Sequence, residues 1–500
     1  MEAAKLTIDP AFEVGPVERR LFGSFVEHMG RSVYTGVFEP GHPAAGPGGL
    51  RRDVIELTRE MGVSVVRYPG GNFVSNYDWE DGVGPAGERP TRLDLAWRQI
   101  ETNAFGLDEF MTWTRQVAAE PMLAVNLGTR GVREACDLLE YANHPSGTRW
   151  SDLRVKHGAR EPYGVRLWCL GNEMDGPWQI GGKTAYEYGR LAAETAKAMR
   201  RVDPRVELVA CGSSNSTLPT FASWEATVLE QCYEHVDYIS AHNYYDPAQP
   251  DRASYLASAA DMEAQIHALV ATADHVAARL RSPRRLKISF DEWNVWSQSL
   301  FGGEHSLDWA EAPRIIEEEY DAAAAAVAGS LLITLLANTD RVGIACQAQL
   351  ANVIAPIRTE PGGPAWRQTI FHPFALTAAH ARGRVLRLAL SSPVFPTERY
   401  GEVPALVATA THDDDAGSLA VFAVNRSETP LPVQADLRAL TGLARAEHLT
   451  VGGGDPAARN TRDAPDRVVP RPAPGAALSG GRLSAVLPPL SFNVLRLSPA

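Results

Sequence analysis

Two stretches, Arg166-Leu-Trp-Cys-Leu-Gly-Asn-Glu-Met-Asp-Gly-Pro-Trp178 and Lys287-Ile-Ser-Phe-Asp-Glu-Trp-Asn-Val-Trp296, each run an apolar strand straight into a glutamate set among amide and indole side chains. In an eight-fold βα barrel the C-terminal ends of the strands converge on one rim. Glu173 and Glu292 would therefore meet there although they are far apart along the chain.

Working outward from these stretches, short apolar runs alternate with longer segments of helical period from about residue 21 to residue 349, the mark of repeated βα units. Strand candidates lie at 21–27, 63–68, 122–126, 165–170, 206–211, 236–241, 286–291 and 342–346. Helix candidates include 52–61, 108–119, 184–201 and 253–280. Runs such as 122–125 lack polar alternation, as strands buried on both faces do. Period alone does not separate a closed barrel from an open doubly wound sheet, but the polar residues do. Glu27, Asn126, Glu173, Ser213, His242, Glu292, Gln347 and Gln349 stand at the ends of nearly every strand, whereas an open sheet would gather them at one switch point.

After about residue 374 the period changes to two, with turn punctuation, as in 406–411, 418–424 and 491–497. The fold class expected is α/β, a (β/α)8 barrel over 19–373 followed by an antiparallel β-sandwich over 374–500. Residues 1–18 form an extended segment assigned to the sandwich. The stretch 452–481, rich in Gly, Pro, Arg and Asp, is expected to form long mobile loops.

Composition narrows the function. A chain of 500 residues with 45% hydrophobic content can build one large core and a smaller one. The net charge is -12 and the basic residues are scattered, so nucleic acid is not an expected partner. The N-terminus lacks an apolar signal core, and no run reaches the roughly 18 apolar residues of a membrane helix, so no membrane partner and a cytoplasmic location are expected. Five cysteines, three in apolar strand-like runs, read as free thiols. No metal-ligand spacing or phosphate loop is present in the sequence, so no cofactor and no metal are expected. His28, His242 and His305 read as core or loop histidines.

Cleaving an acetal requires a proton for the leaving oxygen and a negative charge facing the anomeric carbon, which two carboxyls flanking one bond provide. A lone glutamate after a strand is usually a cap or an ion-pair member; two, each beside Asn and Trp, point to chemistry. Burial and a negative neighbour would keep Glu173 protonated until Glu292 bonds to the sugar. The indoles of Trp178, Trp293 and Trp296 are expected to pack on sugar faces.

The chain resembles the intracellular α-L-arabinofuranosidases of glycoside hydrolase family 51 over nearly its whole length. The resemblance rests on Gly23-Ser-Phe-Val-Glu-His-Met-Gly-Arg31, Arg67-Tyr-Pro-Gly-Gly-Asn-Phe-Val-Ser75, Trp168 to Trp178, His242-Asn-Tyr-Tyr245, Phe290-Asp-Glu-Trp-Asn-Val-Trp296 and Ala348-Gln-Leu-Ala-Asn-Val-Ile-Ala-Pro-Ile357. It implies Glu173 as acid/base and Glu292 as nucleophile of a retaining, exo-acting enzyme. Glu27, Asn72, Asn172, Tyr244 and Gln349 would hold the arabinofuranose of an oligosaccharide substrate. It also implies a homo-oligomer, a hexamer. Tyr244 and Arg67 are placed to hold the nucleophile ionised, and Gly70-Gly71 to let the backbone approach closely. The alternatives are a retaining β-xylosidase or β-glucanase on the same barrel, or a carbohydrate-binding relative without catalysis.

Overall fold

The computed structural model describes residues 3–500. In chain order the strands that carry the architecture are β1 (Ala4–Pro16), β2 (Gly23–Phe25), β3 (Val65–Tyr68), β4 (Arg92–Asp94), β5 (Gln99–Glu101), β6 (Glu120–Ala124), β7 (Leu167–Leu170), β8 (Glu207–Ala210), β9 (Tyr238–Tyr245), β10 (Lys287–Val295) and β11 (Val342–Gln347). Eight of them close a parallel barrel in the order β2-β3-β6-β7-β8-β9-β10-β11. β4 and β5 form a separate antiparallel hairpin inserted between the second and third barrel strands. Inward-facing Phe25, Val65, Met122, Leu167, Val209 and Ile344 share one packed cluster, so the barrel interior is a core.

Six of the eight barrel strands start later than the apolar runs predict, β6 starts two residues earlier, and β9, β10 and β11 run longer at their ends. β2 begins only at Gly23 because Arg19–Leu21 turn into a 3-10 segment. β9 and β10 continue past 241 and 291 because they stay paired to Tyr245 and Val295. In that extension Ser289 faces Ser240 but Glu292 faces His242, one extra residue on β10. Such a bulge re-aims the side chains beyond it, and Glu292 is the first residue to be re-aimed. The helix expected over 253–280 is two, Arg252–Leu256 and Ala259–Leu280. Ser258 at the break turns its hydroxyl back onto the Tyr255 carbonyl, a local bond that competes with helix continuation.

Beyond the barrel, ten strands form one hydrogen-bonded sheet that rolls onto its own core. β1 lies inside it, antiparallel to Arg384–Ser391 and parallel to Leu431–Asp436. Leu6 and Ile8 of β1 share that core with Val421, Val433, Leu483 and Leu495 from both halves. The stretch 452–481 departs from the expectation of free loops. Asn460 exchanges two hydrogen bonds with the Val468 backbone, Ala458 and Val468 are buried, and Pro456 accepts from the Ala323 amide. Low apolar content therefore coexists here with backbone anchoring on a neighbouring helix.

That helix, Ala322–Ala337, is buried from Ala322 to Leu336 because it runs between barrel and sheet, which is why its sequence is apolar all round. Gly329 lies against the ring of Phe492, where an added Cβ would stand 2.5 Å from Cδ2. Gly329→Val is therefore expected to lower stability by about 1–3 kcal/mol in denaturant unfolding; an unchanged midpoint and slope would show that the junction gives way freely.

Candidate active site

The C-terminal ends of the barrel strands open into a cleft of about 610 Å3. Of the seven residues singled out in the sequence, Glu27, Asn72, Glu173, Tyr244, Glu292 and Gln349 line it. Asn172 does not: it is 1% exposed, its amide donates to Asn72 Oδ1 at 3.2 Å, and its oxygen accepts from Arg67 Nη2 at 2.7 Å. It fixes the orientation of a cleft residue from behind.

Glu173 follows Gly171, whose φ of +93° turns the chain off β7, and itself holds φ +43°. A glutamate seldom adopts that left-handed conformation unless its surroundings impose it. Here they do: Oε1 pairs with His242 Nδ1 at 2.9 Å, and Oε2 accepts from the Trp178 indole at 2.7 Å. Glu292 accepts from Arg67 Nη1 at 2.7 Å on one oxygen and from the Tyr244 hydroxyl at 2.8 Å on the other. An oxygen of each glutamate and a ring nitrogen of His242 lie within 4.8 Å of one another.

Asp291 sits beneath this pair. Its Oδ1 meets His242 Nε2 at 2.9 Å, its Oδ2 accepts from Ser289 Oγ at 3.1 Å, and Arg67 Nε lies 3.9 Å away. Burial would push the Asp291 carboxyl up, but Arg67 and His242 outweigh it and hold it below the usual carboxylate range. Burial likewise opposes a charge on His242, yet Glu292, Asp291 and Glu173 together raise it to about 10. Glu173 moves the other way: burial first, and then the negative Glu292, raise it against the pull of His242. The trio Glu173, His242 and Glu292 can also converge on a cation, but it is the same trio that faces the cleft, so an ion there would block it.

Glu27 occupies the opposite wall. Oε1 accepts from the Phe73 amide at 3.0 Å and the Trp97 indole at 2.8 Å, and Oε2 accepts from Gln349 at 3.0 Å. Burial and then Glu292 nonetheless lift its carboxyl to about 8. Gly70 makes the approach possible, since a Cβ there would lie 2.3 Å from Glu27 Cγ and its φ is +128°.

Three functional groups escaped the sequence reading or were misread there. His242 reads from the sequence as a polar strand end and as a core or loop histidine; it is buried, and its partners are Glu173 and Asp291. Asp291 has no role in the sequence reading, although a carboxyl within the buried strand β10 signals a buried ionic partner. Trp97 comes from the β4–β5 insertion, which no barrel period announces. Trp293, expected on a sugar face, is 1% exposed and outside the cleft, because the bulge that turns Glu292 inward turns its neighbour out. His28 is bound between Glu101 and Tyr68, and His305 is on the rim.

A His242 pKa raised from 6.5 to about 10 means that its charge contributes stability fully present below pH 6.5 and lost as pH rises through 10. NMR of the ring nitrogens is expected to show a doubly protonated His242 at pH 8; a ring titrating near pH 6.5 would contradict the network.

The chain is similar to known proteins along nearly its whole length. Residues 57–261 match the family described as "Alpha-L-arabinofuranosidase 1 domain", and residues 291–491 match "Alpha-L-arabinofuranosidase C-terminal domain". The chain is 60% identical to an intracellular exo-α-(1→5)-L-arabinofuranosidase of Streptomyces lividans, over 99% of this chain and 75% of the relative. It is 49% identical to an intracellular exo-α-(1→5)-L-arabinofuranosidase 1 of Bacillus subtilis over 99% of both. Among solved structures, a family 51 α-L-arabinofuranosidase from Bifidobacterium longum superposes with a TM-score of 0.94 at 45% identity, covering 99% of this chain and 100% of that one. The chain belongs to the α-L-arabinofuranosidases of glycoside hydrolase family 51.

Proposed function

We propose that the protein releases terminal, non-reducing α-L-arabinofuranosyl groups from arabino-oligosaccharides by double displacement. Glu292 acts as nucleophile and Glu173 first as acid, then as base. The observation that carries this reading is the carboxyl pair, with oxygens within 4.8 Å of each other. That is compatible with the roughly 5–5.5 Å of retaining enzymes and leaves no room for the water that an inverting enzyme places between them.

In the resting site Glu173 holds a proton and gives it to the leaving oxygen as Glu292, backed by Arg67 and Tyr244, attacks the anomeric carbon. Once Glu292 is esterified its charge is gone, and with it one cause of the raised Glu173 affinity for protons. Glu173 then takes a proton from water, which frees the sugar with its configuration retained. Glu27, Asn72 and Gln349 bind the ring hydroxyls, with Asn172 setting Asn72.

Five relatives are named as intracellular exo-α-(1→5)-L-arabinofuranosidases, and a Bifidobacterium longum relative 51% identical is named as an exo-α-(1→6)-L-arabinofuranosidase. We assign this chain to the α-(1→5) group and to short oligosaccharides taken up by the cell. None of the helices described is long and apolar enough to cross a membrane. A homohexamer is the proposed assembly, which light scattering would register at about six times 54.2 kDa.

Glu292→Ala is expected to lower turnover of an aryl α-L-arabinofuranoside at least about 10^4-fold. Glu173→Ala is expected to lose about 10^2- to 10^4-fold on substrates with poor leaving groups, little on good ones, and to be partly rescued by azide. Equal losses on both classes would remove Glu173 from the acid role. Because activity needs the Glu173 proton, kcat/KM of the wild type falls as pH rises through the raised Glu173 value, and that limb disappears in Glu173→Ala. Faster turnover of an aryl β-xyloside than of the arabinofuranoside would overturn the substrate assignment.

A further inference from the structure

The cleft, at about 610 Å3, is larger than one pentofuranose, and a run of aromatic contacts lines it. Tyr244, bound to Glu292, meets Trp296 edge-on at 5.2 Å; Trp296 meets Phe301 at 6.0 Å; and Phe301 meets Trp97 at 6.3 Å. Beyond them Trp309 stands on the same cleft with 39% of its surface exposed. The guanidinium of Arg98 lies over its ring, 5.3 Å from the centre.

Trp309 is held by the same element that builds the inner wall. Trp97, whose indole N–H binds Glu27, precedes Arg98, and Ile100 donates its amide to the Ala310 carbonyl at 3.0 Å. Gln99 bridges Ala310 in parallel register, and its side chain bonds the Gly30 amide and the His28 carbonyl. One hairpin thus sets the distance between the bottom of the sugar pocket and the outer indole. Arg98 holds φ +51°, a left-handed conformation uncommon for a side chain of that size. An indole with a cation on one face offers the other face to a ligand, and a flat, apolar, partly exposed ring suits the C–H face of a sugar. Trp178 is committed to Glu173 through its N–H and lines the same cleft as Trp296.

We propose that Trp309, backed by Arg98, is a platform for the second sugar on the leaving-group side, so that the protein selects arabinotriose and longer oligosaccharides over disaccharides. The proposal rests on the arabinofuranosidase reading above and adds chain-length selection to it.

The test compares kcat/KM for an aryl α-L-arabinofuranoside, α-(1→5)-arabinobiose and α-(1→5)-arabinotriose. The wild type is expected to favour the triose over the biose. Trp309→Ala is expected to cut that ratio by about threefold to tenfold, the scale of one aromatic contact. Trp309→Phe should keep most of the ratio, and Arg98→Gln should lose part of it. A triose-to-biose ratio unchanged in Trp309→Ala overturns the platform, as does a loss of equal size on all three substrates, which would report a collapsed rim. Wild-type turnover of the aryl arabinofuranoside reads the functional proposal by itself, and the ratio reads the platform by itself.

Discussion

The site depends on a buried alternation of charge in which Arg67 and His242 are interleaved with Asp291 and Glu292. Two ionised carboxyls 4.8 Å apart would repel by about 3 kcal/mol at the effective dielectric of protein sites. Pairing each cation with an anion, and leaving Glu173 its proton, lets both glutamates face one cleft without that cost. Removing one member would strand a charge in the interior, which is far more damaging than removing an exposed pair. The network is at once a condition for folding the barrel mouth and the setting in which burial and Glu292 raise the proton affinity of Glu173.

Its members come from four strand ends or their loops: Arg67 from β3, Glu173 after β7, His242 and Tyr244 from β9, and Asp291 and Glu292 from β10. A parallel barrel brings these positions to one rim, but the barrel period alone would point consecutive residues to opposite faces. The bulge in β10 resolves this for Asp291 and Glu292, since both end up in the network. Local irregularity at the rim is therefore part of how the site is assembled, and the regular core beneath it can be read as scaffold.

Much of the fold was legible in the chain because period and polar strand ends carry it. The alternation of apolar runs and helical segments announced the barrel, and the switch to period two announced the sheet. The glutamate pair was legible for the same reason: each sits where an apolar run ends among amides and indoles. What was not legible depends on geometry across strands. Nothing in the period tells whether His242 faces a neighbouring carboxyl or the core, and the Trp293 side chain goes outward because of an extra residue visible only in the pairing with β9 and β11. The anchoring of 452–481 rests on backbone bonds, to which composition is blind.

The β4–β5 hairpin explains why the catalytic pocket and its outer rim need not vary independently. Its tip supplies Trp97 to the inner wall, where Asp94 accepts the Ala96 and Trp97 amides and so fixes the turn. Its outgoing strand is bridged to the segment carrying Trp309. A shift of this insertion would move the partner of Glu27 and the outer indole together, so the inner wall of the cleft and its rim are mechanically linked. Because the hairpin lies outside the barrel ladder, its length and sequence can change without breaking a barrel hydrogen bond. A change in what the outer cleft of this protein accepts can then arise in this insertion and the loop bridged to it without altering the charge network below.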